Sequence, residues 1–559
     1  MSALRRRDWV VLALYGVLCL LTFQSNRTLT EHEVFAAEPA REMLAGEGWV
    51  LQPFAGELRT KKPPGQSWLI AASLFVTRTE SELTARLPSA LAGFGLAAIV
   101  AGVAARVGSR RVGLIAGLMT LTCVGVQQRA RLAEADMALA CFVALANACL
   151  VPTPVYARER VRVTAGDREG LPAGGVPSPG DEASSGVSTP RSPALSLTLS
   201  RDTGRGNKRH LAFIFWLAVV AGFLLKGPII FGFTLLPALA AWAVLRWGTK
   251  QPADATAVRR TAFWWPAVML GLAVIVAWPI AAWREHPAVI AQWRHEIVDR
   301  IKGQVGRTDA EREASEKTSP GVAPTKDERE RLTNAGRRDS ILSYAWLVPT
   351  GTLPWFPFAV VGIAWAWRAG AMRRPGNVVL VCWFVCGVAV CTVIAFKVLH
   401  YVLPAIAPVI VLAAFGFDRL LVRWERGRAK SSRVAAGRWA LIGWFGVAAV
   451  GWGVWNGLVL PRRDRGHEVE RFAAAVDAAV PIDQTVYLYR VGEDRTSWYL
   501  HRRLRQTVDV PVARPAYLLL ARGDLSEVQR SVGARVLAEA DRYIARDPDA
   551  ERRVLVRVD

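Results

Sequence analysis

Eleven apolar stretches divide this chain, and they limit its fold more than any other feature. They run over 8–24, 87–106, 111–128, 135–151, 211–226, 228–246, 262–283, 345–367, 377–395, 399–421 and 438–460. Each approaches the roughly 17 to 25 residues that a helix needs to cross a bilayer. Three are short or abut a neighbour, so about 11 to 13 transmembrane helices are expected. One soluble core does not use this much apolar material: 52% of the 559 residues are hydrophobic, 22 of them Trp. The expected fold class is therefore an all-α polytopic membrane protein. The stretch from Ser67 to Val76 is too short to cross and is expected to lie in the interface or to re-enter.

A formal net charge of +23 would point to nucleic acid in a soluble protein. Here much of the basic charge falls in short connections: Arg106, Arg110 and Arg111; Arg246, Lys250, Arg259 and Arg260; Arg368, Arg373 and Arg374. The positive-inside rule makes these cytoplasmic, which excludes nucleic acid as the implied partner and puts the N-terminus in the cytoplasm. The segment Trp9 to Phe23 follows Arg5, Arg6 and Arg7 but has no small-residue cleavage site, so it reads as a retained anchor in a multi-pass protein of the inner (plasma) membrane. The opening polar stretch, the Arg129–Glu134 turn, the 284–344 loop, the Lys397–Tyr401 turn and the C-terminal tail then share the periplasmic face. All seven cysteines lie in apolar segments, with no CxxC pair, so neither a disulfide framework nor a zinc site is indicated.

Composition divides the chain further. Residues 1–465 form the membrane region, interrupted by a cytoplasmic insertion, 152–207, and a periplasmic one, 304–338. Both are poor in large apolar residues and are expected to be disordered, since they cannot bury enough surface to offset their ordering entropy. Residues 466–559 alternate between helical and strand-like patterns (TVYLYRV, SWYLHRRL, AYLLLARG, LSEVQRSV, ERRVLVRV) and predict a small extracytoplasmic α/β domain. No phosphate loop of a known kind occurs in it.

Chemistry-bearing residues concentrate outside the spans. Thr30 and Glu33 fit a capping box, a purely structural use of the carboxylate, yet Glu33 also stands beside Glu31 and His32 at a membrane surface. Arg41 belongs to a short helix started by Pro39, and Arg86 precedes the second span; each is either a ligand or a surface charge. Lys62, after Lys61 and before Pro63 and Pro64, sits on an extended backbone that suits either a phosphate or lipid headgroups. Asp136 lies at the lip of an apolar helix, within two turns of Arg129 and Arg131 as possible partners, or simply as a favourable acid at a helix N-terminus. A carboxylate at the bilayer centre costs about 2.5 to 3.5 kcal/mol, which favours a functional use. Lys226 and Lys397 interrupt apolar runs, and lone intramembrane charges are functional hypotheses by default. His400 and Tyr401 adjoin Lys397, while Trp293 and Glu296 lie in the loop after the seventh span.

In order along the chain, HE followed by AREML (His32, Glu33, Ala40 to Leu44), KPP (Lys62 to Pro64) with Trp68, ARLPS (Ala85 to Ser89), the RxRxxxxD turn (Arg129, Arg131, Asp136), LLKGP (Leu224 to Pro228), LPW (Leu353 to Trp355) and KxxHYxLPAxxP (Lys397 to Pro408) resemble one family. The pattern is similar to the GT-C glycosyltransferases that take sugars from polyprenyl phosphates. These include the dolichyl-phosphate-mannose protein mannosyltransferases and, more closely resembling this chain, the bacterial transferase that adds 4-amino-4-deoxy-arabinose to lipid A. The resemblance implies a GT-C-type membrane fold and inverting sugar transfer from a polyprenyl-phosphate donor to a lipid or protein acceptor, with a divalent metal as a possible cofactor. It implies catalytic roles for Glu33, Asp136 and His32, and donor-phosphate contacts for Lys62, Arg131, Lys226 and Lys397. Arg41, Arg86, Glu296, His400 and Tyr401 are further candidates. Where many members carry two acids this chain has His32-Glu33, so Glu31, His32 and Glu33 all stand as candidate bases. The rival readings are a polytopic transporter or lipid flippase, for which lone intramembrane lysines are equally natural, and a scaffold presenting the tail.

Overall fold

A computed structural model describes residues 4–60, 62–152, 203–249, 251–294, 339–394, 397–426, 430–464, 467–491, 495–540 and 552–559. The insertion 304–338, and the other apart from residue 152 and 203–207, lie outside these; 203–207 open a long helix.

The chain begins with α1 (Arg6–Gly16), which unwinds through a π-turn to Leu21. After a polar loop come α2 (Glu31–Leu44), a hairpin of β1 (Gln52–Phe54) and β2 (Glu57–Arg59), and α3 (Gly65–Thr77). The bundle then builds through α4 (Glu82–Val107), α5 (Arg110–Thr122), α6 (Val124–Arg129) and α7 (Ala135–Leu150). It continues through α8 (Thr203–Lys226), α9 (Ile229–Ala243), α10 (Pro252–Ala262) and α11 (Trp265–Glu285). Helices α12 (Ser343–Thr352), α13 (Phe356–Arg368), α14 (Pro375–Val393), α15 (Leu399–Val402), α16 (Ala407–Arg426) and α17 (Lys430–Val454) complete it.

Six helices among the described residues are long and apolar enough to cross a membrane, and up to eight if each of two bent pairs counts as one span. The chain is thus built as a multi-pass membrane protein, with fewer uninterrupted spans than the eleven expected. The differences have local causes. The 111–128 stretch is broken at Cys123, whose backbone is extended, and 345–367 turns through 106° at Leu353–Trp355, where Pro354 and Pro357 deny helix hydrogen bonds. The 399–421 stretch bends by 68° beyond Pro404. Hydropathy sums apolar residues but does not register where the hydrogen-bond ladder stops. Ser67–Val76 forms most of the short helix α3, too short to cross, as expected.

The tail adds α18 (His467–Ala479), β3 (Val486–Tyr489), the single turn α19 (Thr496–Tyr499), β4 (Leu504–Thr507), β5 (Ala516–Ala521), α20 (Arg522–Val532), β6 (Arg535–Glu539) and β7 (Arg553–Val558). Its strands form one sheet in the order β4-β3-β5-β7-β6. The β3 strand is parallel to β4 and β5, in register Val486↔Leu504 and Val486↔Tyr517, while β7 runs antiparallel to β5 and β6. Alternation along β5 splits the packing: Tyr517 and Leu519 join Phe472 and Val476 of α18, whereas Leu518 and Leu520 meet Val528 of α20. The first of these clusters also contains Val34, Ala37 and Ala40 of α2 and Phe54 of the hairpin. The sheet therefore shares its core with the opening polar stretch. Backbone and side-chain bonds reinforce the join: Gln506 donates its N–H to the Ala55 carbonyl at 2.8 Å, and Arg495 reaches the Leu29 carbonyl at 3.0 Å.

Candidate active site

The opening stretch is pinned at its first turn. Thr30 caps α2, and both arms of the capping box form, with the Thr30 N–H donating to Glu33 Oε2 at 2.8 Å. Glu33 does more than cap. Its Oε1 accepts from Arg86 Nε at 2.7 Å and from the Ala133 N–H at 3.0 Å, and Arg86 Nη2 reaches Oε2 at 3.2 Å. Arg86 in turn donates to the Gln24, Arg27 and Thr28 carbonyls. The carboxylate is 0% exposed. Burial opposes its charge, but Arg86, Arg27 and the Thr30 N–H outweigh burial and hold its pKa down at about 2. Glu33 is thus a buried anion with both oxygens engaged, tying α2 to α4 and to the turn before α7. His32, one residue earlier and about 100° away around the helix, is exposed, with its ring edge-on to Phe35 at 5.5 Å. Arg41 binds Glu38 at 2.6 Å and the Ser497 and Trp498 carbonyls at 3.0 and 3.1 Å, so it tethers the tail.

A second cluster lies where the ends of several helices meet. Asp136 occupies the first turn of α7, where the helix dipole favours an acid, and Lys226 the last turn of α8, where it favours a cation. The two form an ion pair, Lys226 Nζ to Asp136 Oδ1, with Asp136 5% exposed. The pairing of Asp136 with Arg129 or Arg131 weighed above gives way to this one, since Arg129 instead binds Glu134 at 2.8 Å. Gly227 lets α8 stop at that point: at φ +71 it adopts the left-handed conformation and closes the helix with its N–H on the Phe223 carbonyl. Lys226 Nζ also sits 5.5 Å from the centre of the Tyr401 ring, and His400 packs edge-on against that ring at 4.6 Å.

Two packing details bring the segment that bears Lys62 up to the end of α8. The Gln52 side chain in β1 donates to the Lys62 and Pro63 carbonyls at 3.1 and 2.9 Å, holding the KPP segment extended. Gly65, at the start of α3, abuts the end of α8, where a Cβ would lie only 2.5 Å from the Leu224 carbonyl oxygen. The absent side chain lets KPP and LLKGP touch. The structure thus gathers Asp136, Lys226, His400 and Tyr401, brings the KPP segment against the end of α8, and adds the Arg129–Glu134 pair in the turn before α7. Burial, with the nearby charges of Asp136 and Glu33, raises the pKa of Glu134 despite Arg129. The Arg129–Glu134 spacing of five residues is not a helical pairing distance, so this bridge had no signal in the sequence.

Other expected members fall elsewhere. Lys397 turns its ammonium onto the Thr392 and Ile394 carbonyls at the end of α14, and its N–H onto Asp339 at 3.0 Å. Arg131 turns away from the lysines towards α1, donating to the Thr22 and Cys19 carbonyls. Glu296 lies outside the described residues. Among the described residues no three His, Cys, Asp or Glu side chains converge to hold a metal ion, so this donor set does not fit one.

Residues 61–154, from the KPP segment through α7, match the family model of dolichyl-phosphate-mannose-protein mannosyltransferases. The chain takes the fold of ArnT. ArnT from Cupriavidus metallidurans bound to undecaprenyl phosphate is 18% identical, with TM-score 0.67 over 99% of this chain and 98% of that one. Its apo state is 17% identical, with TM-score 0.64 over the same shares. The archaeal oligosaccharyltransferase AglB from Archaeoglobus fulgidus, in complex with an inhibitory peptide and a dolichol-phosphate, is 12% identical, with TM-score 0.47 over 94% of this chain and 70% of that one. No curated protein sequence matches the chain. The resemblance to the GT-C glycosyltransferases drawn from the seven motifs is borne out.

Proposed function

We propose that this protein is a membrane glycosyltransferase that moves a sugar, with inversion, from a polyprenyl-phosphate donor to a lipid or protein acceptor at the periplasmic face of the inner membrane. One observation carries the reading: the Lys226–Asp136 pair sits against Tyr401 and His400 at the meeting ends of apolar helices, and the segment that bears Lys62 packs onto the end of α8. A lipid phosphate arriving along the helices meets cations there. The matched segment 61–154 holds Lys62, Arg129 and Asp136, and the fold relative ArnT binds undecaprenyl phosphate, which supports this donor class.

In this mechanism the acceptor hydroxyl attacks the anomeric carbon, the bond to the phosphate oxygen breaks, and the phosphate leaves with the bonding pair. Lys62 and Lys226 stabilise the charge that grows on it, as preorganised cations do in a water-poor site. Asp136 holds Lys226 in place through their ion pair. The hydroxyl proton passes to a base; exposed His32 serves, because a neutral imidazole accepts a proton near neutral pH. Glu33, enclosed by Arg86 and two backbone N–H groups, acts by positioning α2. Residues 466–559 form a small extracytoplasmic domain that braces the same helix.

The test is transfer from radiolabelled polyprenyl-phosphate sugars in proteoliposomes. Lys62→Gln and Lys226→Gln are expected to lose about a hundredfold in rate while keeping the wild-type elution profile. Undiminished transfer by both variants would show that these lysines are not the phosphate ligands.

A further inference from the structure

A cavity of about 280 Å³ opens between the loop after α1, the Gln127–Leu132 turn and the far end of α17. Arg27, Arg86, Arg129 and Arg131 line it together with Gln24 and Trp455, and among the described residues no carboxylate does. Two of these arginines are balanced by acids outside the cavity, Arg86 by Glu33 and Arg129 by Glu134. Arg131 is not. The hydrogen-bond partners of Arg131 are neutral: the Thr22 and Cys19 carbonyls and Gln127 Oε1 at 3.3 Å. Arg27 shares Glu33 with Arg86, its Nη2 lying 3.6 Å from Oε2, and the charge of Asp464 also acts on it, so four arginines meet fewer acids than guanidinium groups. Burial, with the neighbouring guanidinium groups, pulls Arg27 and Arg131 below the usual arginine range, Arg131 to about 10. Like charges held in a buried space are unfavourable unless an anion relieves them.

A second observation concerns the polarity of the same wall. Gln24 is 3% exposed, and its Oε1 has no hydrogen-bond partner. A buried acceptor left unmet costs about 1 to 3 kcal/mol, and a ligand hydroxyl would satisfy it.

We propose that this cavity is a second anion site, which takes the phosphate of a phosphate-bearing headgroup on Arg27 and Arg131 and lies apart from the Asp136–Lys226 cluster. Arg129 stands between the two, since it lines the cavity and binds Glu134, two residues before Asp136. Its assignment to a second substrate rests on the transferase reading; the anion site itself does not.

The probes are dioctanoyl phosphatidic acid, dioctanoyl phosphatidylcholine and inorganic phosphate, added to the full-length protein in detergent and followed by native mass spectrometry and melting temperature. Phosphatidic acid is expected to bind and to raise the melting temperature, with affinity falling about tenfold in Arg27→Gln and in Arg131→Gln. Leu132→Trp, which fills the cavity and leaves every arginine in place, is expected to weaken binding as well. Lys62→Gln is expected to bind phosphatidic acid normally, so failure of this site and failure of the donor site are told apart. Equal stabilisation by inorganic phosphate supports the site and assigns it a soluble occupant. Binding that is unchanged in Arg27→Gln and Leu132→Trp, or equal for phosphatidylcholine, overturns the proposal.

Discussion

At the scale of single residues, the clearest case is Glu33, whose chemistry is decided by its partners. Its pKa in the folded protein, about 2, lies below the ordinary 4.5. A carboxylate depressed on folding contributes stability that is fully present above its unfolded value and lost as pH falls through the folded one. Wild-type protein should therefore lose stability between about pH 4.5 and 2, and Glu33→Gln should flatten that part of the profile. The same variant leaves Arg86 buried and uncompensated, which costs about 3 to 5 kcal/mol. Thermal unfolding in detergent across that pH range reads both effects. A Glu33→Gln protein as stable as wild type at neutral pH would contradict the buried-pair account. Asp136 and Lys226 allow a parallel check. Asp136→Asn and Lys226→Gln should each destabilise, and the double variant less than their sum, because a pair removed together leaves no orphaned charge.

At the scale of elements, the site depends on which helix ends touch. The Gly65 contact with the Leu224 carbonyl carries the juncture of α3 and α8, and a Cβ there forces the KPP segment away from Lys226. Gly65→Ala should cost about 1 to 3 kcal/mol by overpacking and reduce transfer beyond what the stability loss accounts for. A transfer rate equal to wild type would mean that Lys62 works without this contact. Element identity was legible where a pattern is long: α4, α9, α11 and α14 follow their apolar runs, and β3, β5 and β7 follow their alternation. It was illegible where neighbours decide. The SWYLHRRL stretch reads as helix, yet only Thr496–Tyr499 makes a turn, and Leu504 starts β4, because β3 offers an open edge to pair with. Propensity does not contain that edge.

At the scale of the whole molecule, the tail and the opening stretch fold as partners. Arg41, the Gln506 bond to Ala55 and the shared core of Val34, Phe54, Phe472 and Leu504 join residues hundreds of positions apart. Arg41→Ala should loosen the tail and speed limited proteolysis in the segment 463–467, with the membrane helices left intact; an unchanged digestion rate would show that the apolar core alone holds the join. By itself the sequence determined that the chain is a membrane protein of helices with an α/β tail, because hydropathy and periodicity are properties of contiguous residues. It also carried the family resemblance, because motif order survives without coordinates. Only the tertiary structure decided which charges meet. Asp136 found Lys226 rather than Arg129, Glu33 was enclosed by Arg86, and Arg27 and Arg131 were turned into a cavity with no carboxylate among the described residues. An ion pair is set by distance through space, and in an apolar bundle each charge settles on whichever opposite charge the packed helices bring within reach.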